Sequence, residues 1–406
     1  MSRAYIITGL DIGTNNIKIL VVQKNKNSEL EVLSQIQEPA VGVRKGVVID
    51  VEGVSKGIQS GMEKAKKESG QKINSVYVNL GGSHIFSASS HGLVSVSRAD
   101  RKISKEDIER VLHEAETISL PSNKEIFNVF PKEFIVDGER GIKEVLGMEG
   151  VRLEAEVLAL GGFSPYLKNL TQAVLNSNLQ ILDIVPSPIA SARACLTPRQ
   201  KELGVGLLEI GAGTSELAVF EEGDLIHLVI LPIGSNHITN DIAIGLKTDI
   251  DIAERIKIEF GNCIFKGGNK RRKIEIGHEE PLAFSPKQLI NIIESRASEI
   301  FREVNKELKK ISRQKLLPAG IVLTGGGSKL PKITELAKKE LRLPCRIGKP
   351  KEFMGLEEDP SWATACGLIL GGVDLEGEKW AGNEGQPIFG KGLGAQIKKI
   401  FKIFIP

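Results

Sequence analysis

Three separate stretches of this chain run a strand of β-branched and aliphatic residues straight into a glycine turn: Leu10-Asp11-Ile12-Gly13-Thr14, Leu208-Glu209-Ile210-Gly211-Ala212-Gly213-Thr214 and Val322-Leu323-Thr324-Gly325-Gly326-Gly327. A strand that ends this way exposes backbone N–H groups, and glycine lets that backbone approach phosphate oxygens with no Cβ in between. The first two turns share a pattern: an acidic residue, an apolar one, Gly, then Thr. The third is a Gly triplet followed by Ser328 and a helix-like run from Pro331 to Leu341. Two related turns so far apart predict a duplicated nucleotide clamp. The plain alternative is three unrelated strand turns, because single glycine turns recur by chance in many α/β proteins.

A chain of 406 residues exceeds one ordinary core, so two or more domains are expected. Hydrophobic residues at 41% and charged residues at 26% are those of a soluble globular protein. A net charge of +3, with basic residues spread along the chain, argues against a nucleic-acid partner. Cys195, Cys263, Cys345 and Cys366 form no C-x-x-C pair, which points away from zinc and from a disulfide framework and towards a cytosolic setting. Asp11 follows too short an apolar run for a signal-peptide core, and no apolar run is long enough to span a bilayer.

Residues 5 to 81 read as strand, turn, strand, helix, strand: Tyr5 to Leu10, Ile17 to Gln23, a helix within Val51 to Ser69, then Ser75 to Leu80. That order predicts a twisted sheet with a covering helix. From His84 the pattern changes. A hairpin is expected from Ile85 to Ser89 and Leu93 to Ser97, then a helix begun by Ser104 with Asp107 at capping-box spacing, then strands at Phe127 to Val136 and Glu156 to Leu160. This stretch predicts a small inserted domain. A helix at Tyr166 to Asn176 and a strand at Ile181 to Val185 resume the first lobe, and a second lobe opens at Gly204. Residues 235 to 310 read as mostly helical, with Asn269 to Lys273 as a solvated charged turn.

The order of the three turns matches the actin, Hsp70 and sugar-kinase superfamily, and further blocks narrow the likeness. Phe130-Pro131-Lys132-Glu133-Phe134-Ile135-Val136-Asp137-Gly138 and Leu146-Gly147-Met148-Glu149-Gly150-Val151-Arg152-Leu153 resemble the insertion of the FtsA family of actin-like bacterial cell-division proteins. Ile233 to Ala243, Ile321 to Leu330 and Pro360 to Leu368 are similar to that family's later segments, so the resemblance covers nearly the whole chain. It implies an α/β, actin-like two-lobed ATPase fold with an inserted α+β subdomain and a C-terminal amphipathic helix. The implied divisions are a first lobe of residues 1–83, 163–203 and 361–376, an insertion at 84–162, a second lobe of 204–237 and 311–360, a helical subdomain at 238–310, a linker at 377–391 and a terminal helix at 392–406.

The resemblance also implies roles, with ATP and Mg²⁺ as ligands. Asp11 would sit near Mg²⁺ through water, with Glu209 its counterpart in the second hairpin. Gly13, Thr14 and Asn15 would face the phosphates, and Lys18 would supply charge. Gly211, Gly213, Thr214 and Ser215 would hold the outer phosphates, with Gly234 in the segment that follows, and Gly325, Gly326 and Gly327 would pass under the nucleoside. Glu254 and Lys257, at i, i+3 on one helix face, fit either contacts to ribose or adenine or an ordinary surface ion pair. Three positions depart from the superfamily: Glu209 and Glu216 stand where Asp is usual, and Ala212 stands where Gly is usual. A longer carboxylate and an added Cβ near the phosphates lead to the expectation of ATP binding with slow or absent hydrolysis.

From Leu375 to Lys391 the sequence turns glycine-rich and polar and reads as a flexible linker. Wound as a helix, the last residues place Leu393, Ile397, Ile400, Phe401 and Phe404 on one stripe with Lys398, Lys399 and Lys402 pointing away. A basic amphipathic helix after such a linker suits an anionic membrane surface. Docking of that helix on its own core is the other reading. The function implied is an ATP-binding protein that polymerises and anchors the FtsZ ring to the cytoplasmic face of the cell membrane at the division site. Its partners would be the FtsZ C-terminal tail, met by Arg296 and Arg302, further copies of itself, anionic lipid and later division proteins. Two alternatives stand beside it: an actin-like pilus assembly protein, and a small-molecule kinase of the same superfamily.

Overall fold

The computed structural model describes residues 5–25, 29–265, 267, 272–276 and 279–380. Two sheets of similar design carry the molecule. In the first, strands run in the order Gln180–Pro186, Ser75–Leu80, Tyr5–Ile12, Asn16–Lys24, Leu30–Pro39 and Phe353–Met354. In the second, the order is Asp224–Leu231, Ser215–Glu221, Val205–Ile210, Ile321–Thr324 and Cys345–Ile347. Each sheet opens on an antiparallel hairpin whose first strand has a parallel neighbour on its other side, so Asp11 pairs with Lys18 and Glu209 with Glu216 at matching places beside the turns.

The helix Val51–Ser69 covers the first sheet. Asp50 caps it by accepting from the N–H groups of Glu52 and Gly53, and Gly70 ends it in the left-handed region. Val54, Ile58, Met62 and Ala65 recur at helical spacing and are buried against the strands. Each large side chain among them contributes about 1.5–3 kcal/mol of hydrophobic stabilisation. On the opposite face lie the helices Ser187–Cys195 and Ala363–Trp380. The second helix runs to Trp380, past Leu375 where the linker was expected to begin, and the rest of the linker and the whole basic amphipathic stretch lie outside the described residues.

The insertion has its own sheet, in the order Phe86–Ser95, Arg152–Phe163, Lys124–Val136 and Glu139–Ile142, with the helix Lys105–Glu116 packed on it. Ile103, Val111, Leu112, Phe134 and Leu153 form a core separate from those of the lobes. The Ser104 capping box is present with both of its bonds. The expected hairpin between Ile85 and Ser97 is not: Phe86–Ser95 is one continuous strand paired along its length with Arg152–Phe163. Gly92 is not a turn residue but the point where the helix crosses the strand. A Cβ there would lie 2.1 Å from the Val111 carbonyl oxygen. The insertion also reaches the second lobe, where Lys143 pairs with Asp224 and the Ser87 hydroxyl donates to the Leu228 carbonyl at 2.9 Å.

Beyond the second sheet, the helices Ser235–Leu246, Ile250–Phe260 and Pro286–Lys310 share one continuous core with it through Ile238, Ile256, Ile293 and Phe301. A ribbon of Arg272–Ile276 and Glu279–Phe284 interrupts them, so Arg272 and Lys273 begin a strand rather than a turn. Asn269 to Arg271 lie outside the described residues.

Candidate functional site

Both hairpins close in the same way, with the Gly13 N–H donating to the Asn16 carbonyl at 3.0 Å and the Gly211 N–H to the Thr214 carbonyl at 2.9 Å. The helix that starts at Ser235 docks on the second turn, its first N–H groups bonding the Gly211 and Ala212 carbonyls at 2.8 and 2.9 Å. Between the two turns opens a cleft of 560 Å³. Asp11, Gly13, Thr14, Asn15, Lys18, Glu209, Gly211, Thr214, Glu254, Lys257, Gly326 and Gly327 all line it.

Four expected positions sit behind that lining. Gly213 is where the hairpin tips meet, since a Cβ there would lie 2.6 Å from the Thr14 hydroxyl. Gly234 packs on the Ala212 carbonyl, Gly325 packs on the Ile210 carbonyl, and Ser215 is fully buried. Gly326 is open: a side chain added there meets no atom within 4 Å. Glu254 and Lys257 are more than a surface pair, because Lys257 is buried and its Nζ donates to Glu254 at 2.6 Å and to the Thr239 hydroxyl at 2.8 Å while both residues face the cleft. Arg296 and Arg302 lie away from it, on Pro286–Lys310. Arg296 is held in a two-pronged bond to Asp241 at 2.6 and 2.9 Å and also bonds Glu299, whereas Arg302 is exposed.

Charge in the cleft is unbalanced. Asp11, Glu209 and Glu216 converge on it with Lys18, whose Nζ is 4.0 Å from Asp11, donates to the Ser361 carbonyl and sits 5.6 Å above the Trp362 ring. Burial pushes the Asp11 carboxyl up, and Lys18 opposes the shift. Desolvation pushes Glu209 up to about 7 against hydrogen bonds from the hydroxyls of Ser191 at 2.5 Å and Thr364 at 2.9 Å. Glu216 is also raised well above its ordinary value, first by burial and then by its two acidic neighbours. Its Oε1 accepts from Thr214 at 3.3 Å, and its Oε2 is buried without a partner.

In the sequence Glu216 stands out only as a departure from a pattern. Nothing in the sequence marks Asn79, whose side chain accepts from the Ile12 N–H at 2.7 Å and donates to Ser187 at 3.1 Å. Nor does it mark Asp359, Ser361, Trp362 and Thr364 on the cleft wall. The last three fall inside the Pro360 to Leu368 block, which carries a family likeness in the sequence but no sign of a place at the cleft. Asn79 lies at a strand end just before Gly81 and Gly82, a fourth strand-to-glycine junction.

Two lobes of matching topology, each turning a glycine hairpin towards one cleft, define an actin-like α/β protein. Comparison with solved structures agrees on the fold. The chain superimposes with a TM-score of 0.67 on a structure of the PilM-PilN type IV pilus biogenesis complex, at 19% identity over 90% of this chain and 98% of that one. It superimposes with a TM-score of 0.57 on MreB5 of Spiroplasma citri bound to ADP, at 14% identity over 93% and 99%. Residues 206–367 match the family model of cell division protein FtsA, and residues 82–160 match that of the SHS2 domain inserted in FtsA. Cell division protein FtsA of Pseudomonas aeruginosa is 36% identical over 379 residues, 92% of this chain and 90% of that protein. The chain belongs to the FtsA family: it is an actin-like cell division protein, and the pilus protein is a neighbour in fold alone.

Proposed function

We propose that this chain binds ATP with Mg²⁺ between its lobes, polymerises through its insertion and ties the FtsZ ring to the cytoplasmic face of the cell membrane at the division site. One observation carries the nucleotide reading: both glycine hairpins and the Gly326 turn face a single cleft, where one buried carboxylate oxygen, Glu216 Oε2, has no partner. Among the described residues no three His, Cys, Asp or Glu side chains are placed to hold a metal ion by themselves. That suits Mg²⁺, which is usually held by one or two carboxylates, water and the phosphates it arrives with. Asp11, through water, and Glu209 are the proposed residues near such a cation, and Glu216 Oε2 beside them is the oxygen with an acceptor position free. When bound, the ion would offset the charge of phosphates and carboxylates together.

Around it, Thr14 would present its backbone N–H and hydroxyl, with Gly13 and Gly211, whose N–H groups close the hairpins, and Gly213, Gly234 and Gly325 shaping the turns and Ser215 behind them. Lys18 would add charge, Glu254 and Lys257 would meet the nucleoside, and Gly326 and Gly327 would pass beneath it. Slow or absent hydrolysis follows from the same residues. Both oxygens of Glu209 already accept hydrogen bonds, and Ser187, where a chaperone-like relative would be expected to carry Glu, donates to the Leu80 carbonyl.

Membrane attachment is assigned to Leu393, Ile397, Ile400, Phe401 and Phe404 with Lys398, Lys399 and Lys402, and among the described residues no helix is long and apolar enough to cross a membrane. Arg302 and Arg296 are the proposed contacts for acidic residues of the FtsZ tail, and later division proteins are the remaining partners. Co-sedimentation of the full chain with anionic liposomes and FtsZ tests the whole scheme. FtsZ should pellet with lipid only when this chain is present, and truncation after Gly390 should leave both in the supernatant. FtsZ pelleting with the truncated chain would remove the anchor.

A further inference from the structure

The lobes are joined by side-chain hydrogen bonds at two levels. At the base of the cleft the bonds are buried or partly buried: Ser191 and Thr364 donate to Glu209, and the Cys195 thiol donates to the Thr324 hydroxyl at 3.7 Å. At the exposed rim, above the phosphate turns, Asn15 of the first hairpin faces Asn236 on the helix behind the second. The Asn15 Nδ2 donates to the Asn236 Oδ1 at 3.0 Å, and the Asn236 Nδ2 donates to the Asn15 Oδ1 at 2.8 Å. Each amide uses its one carbonyl and one of its N–H groups on the other, so the pair forms a closed ring of two parallel bonds.

Both backbones that carry the pair are fixed. The Asn15 carbonyl accepts from the Ala40 N–H at 2.9 Å, its turn is closed by Gly13 and Asn16, and the Asn236 N–H bonds the Ala212 carbonyl at 2.9 Å. Directly beside the pair, Thr14 touches the Gly213 turn. Neither side chain can follow a retreating partner without giving up both bonds. Charge matters as well. A lysine and a carboxylate would bridge the same gap but would attract or repel a polyphosphate, whereas two neutral amides hold the lobes together without competing for phosphate or cation.

We infer that Asn15 and Asn236 form a clasp across the rim of the cleft that sets how fast a bound nucleotide leaves. This rests on the nucleotide reading above and changes the part Asn15 plays in it, from a phosphate ligand to one half of a lobe-to-lobe bond. Release requires the lobes to part at the rim, and the clasp must open first. Because the bonds are exposed and water competes for them, losing them should accelerate release by about three- to tenfold rather than by orders of magnitude.

The test is a double-mutant cycle on the full chain. An N-methylanthraniloyl-ADP complex with Mg²⁺ is chased with excess unlabelled ATP in a stopped-flow instrument, for the wild type, Asn15→Ala, Asn236→Ala and the double variant. Each single variant should release the nucleotide about three- to tenfold faster, and the double variant no faster than the singles. Release unchanged in Asn236→Ala would overturn the clasp. So would effects that multiply in the double variant, because the two amides would then act on the nucleotide separately. A wild type that takes up no labelled nucleotide would instead overturn the nucleotide reading and the clasp with it, an outcome visible before any variant is compared.

Discussion

In the insertion, Asp107 is fully buried and every direction around its carboxylate is occupied: Ser97 N–H at 3.0 Å, Ser104 N–H and hydroxyl at 2.9 and 2.7 Å, Arg110 at 2.5 Å. Burial alone would raise its pKa, but these bonds outweigh burial and hold the carboxyl well below its ordinary range. Glu154, on the same sheet, is treated alike by Arg152 at 2.7 Å and His91 at 2.8 Å. In the cleft, Glu216 is equally buried, keeps one oxygen without a partner and is pushed the opposite way. A satisfied buried carboxylate organises its own fold, whereas an unsatisfied one costs stability and implies a ligand that completes it.

The largest expected effect falls on the satisfied group. Asp107→Ala removes the capping acceptor and strands Ser97, Ser104 and Arg110, so it should destabilise the insertion by about 2–4 kcal/mol while leaving nucleotide affinity unchanged. Chemical denaturation followed by hydrogen exchange at Val111 and Leu112 checks this. Loss of nucleotide binding in that variant would erase the distinction between the two regions.

Glu216→Gln should act in the reverse sense. Burial already holds the Glu216 carboxyl towards its neutral form, so an amide of the same shape is expected to change the stability of the nucleotide-free protein little and, being unable to take on charge, to weaken Mg²⁺-dependent ATP binding by about tenfold. Thermal melts without ligand and calorimetric titration with it read the two halves separately, and a destabilised apo protein would mean that Glu216 is structural.

The two regions should also differ in pH dependence. The Glu209 pKa is raised from 4.5 to about 7, so the stability it contributes is full below about pH 4.5 and is lost as pH rises through about 7. The melting-temperature difference between wild type and Glu209→Gln should therefore move against the wild type across that window. Glu154 is lowered, so its contribution is present above its ordinary range and is lost as pH falls through its folded value. Glu154→Gln should accordingly matter at neutral pH and fade in acid, by a smaller amount because Arg152 and His91 are half exposed. Matching pH profiles for the two variants would break the comparison.

The parts that were legible in the sequence were those whose signal is local. A strand followed by Gly13 or Gly211 announces its turn, and Ser104 with Asp107 announces a helix start, because neighbours in sequence make those bonds. Gly92 misled for the same reason: the atom that demands glycine, the Val111 carbonyl, is distant in sequence, so a helix crossing looked like a hairpin turn. The cleft walls were half visible. Asp11 and Gly326 sit within the glycine motifs, but Asn79, Asn236 and Thr364 gain their roles only when strand ends and helix starts from both lobes meet. Glu216 was legible as an oddity. That it is buried with an oxygen left over is a property of the packing, not of its neighbours in the chain.

The cleft and the unsatisfied Glu216 oxygen on it are expected to serve a nucleotide carrying a divalent cation. Gly326 offers the cleanest probe, since a side chain there enters open cleft space and strains nothing else. Calorimetric titration of the full chain with ATP, with and without Mg²⁺, should give saturable binding that depends on the cation and disappears in a Gly326→Arg variant with an unchanged melting temperature. Binding that is indifferent to Mg²⁺, or that survives Gly326→Arg, would contradict the account.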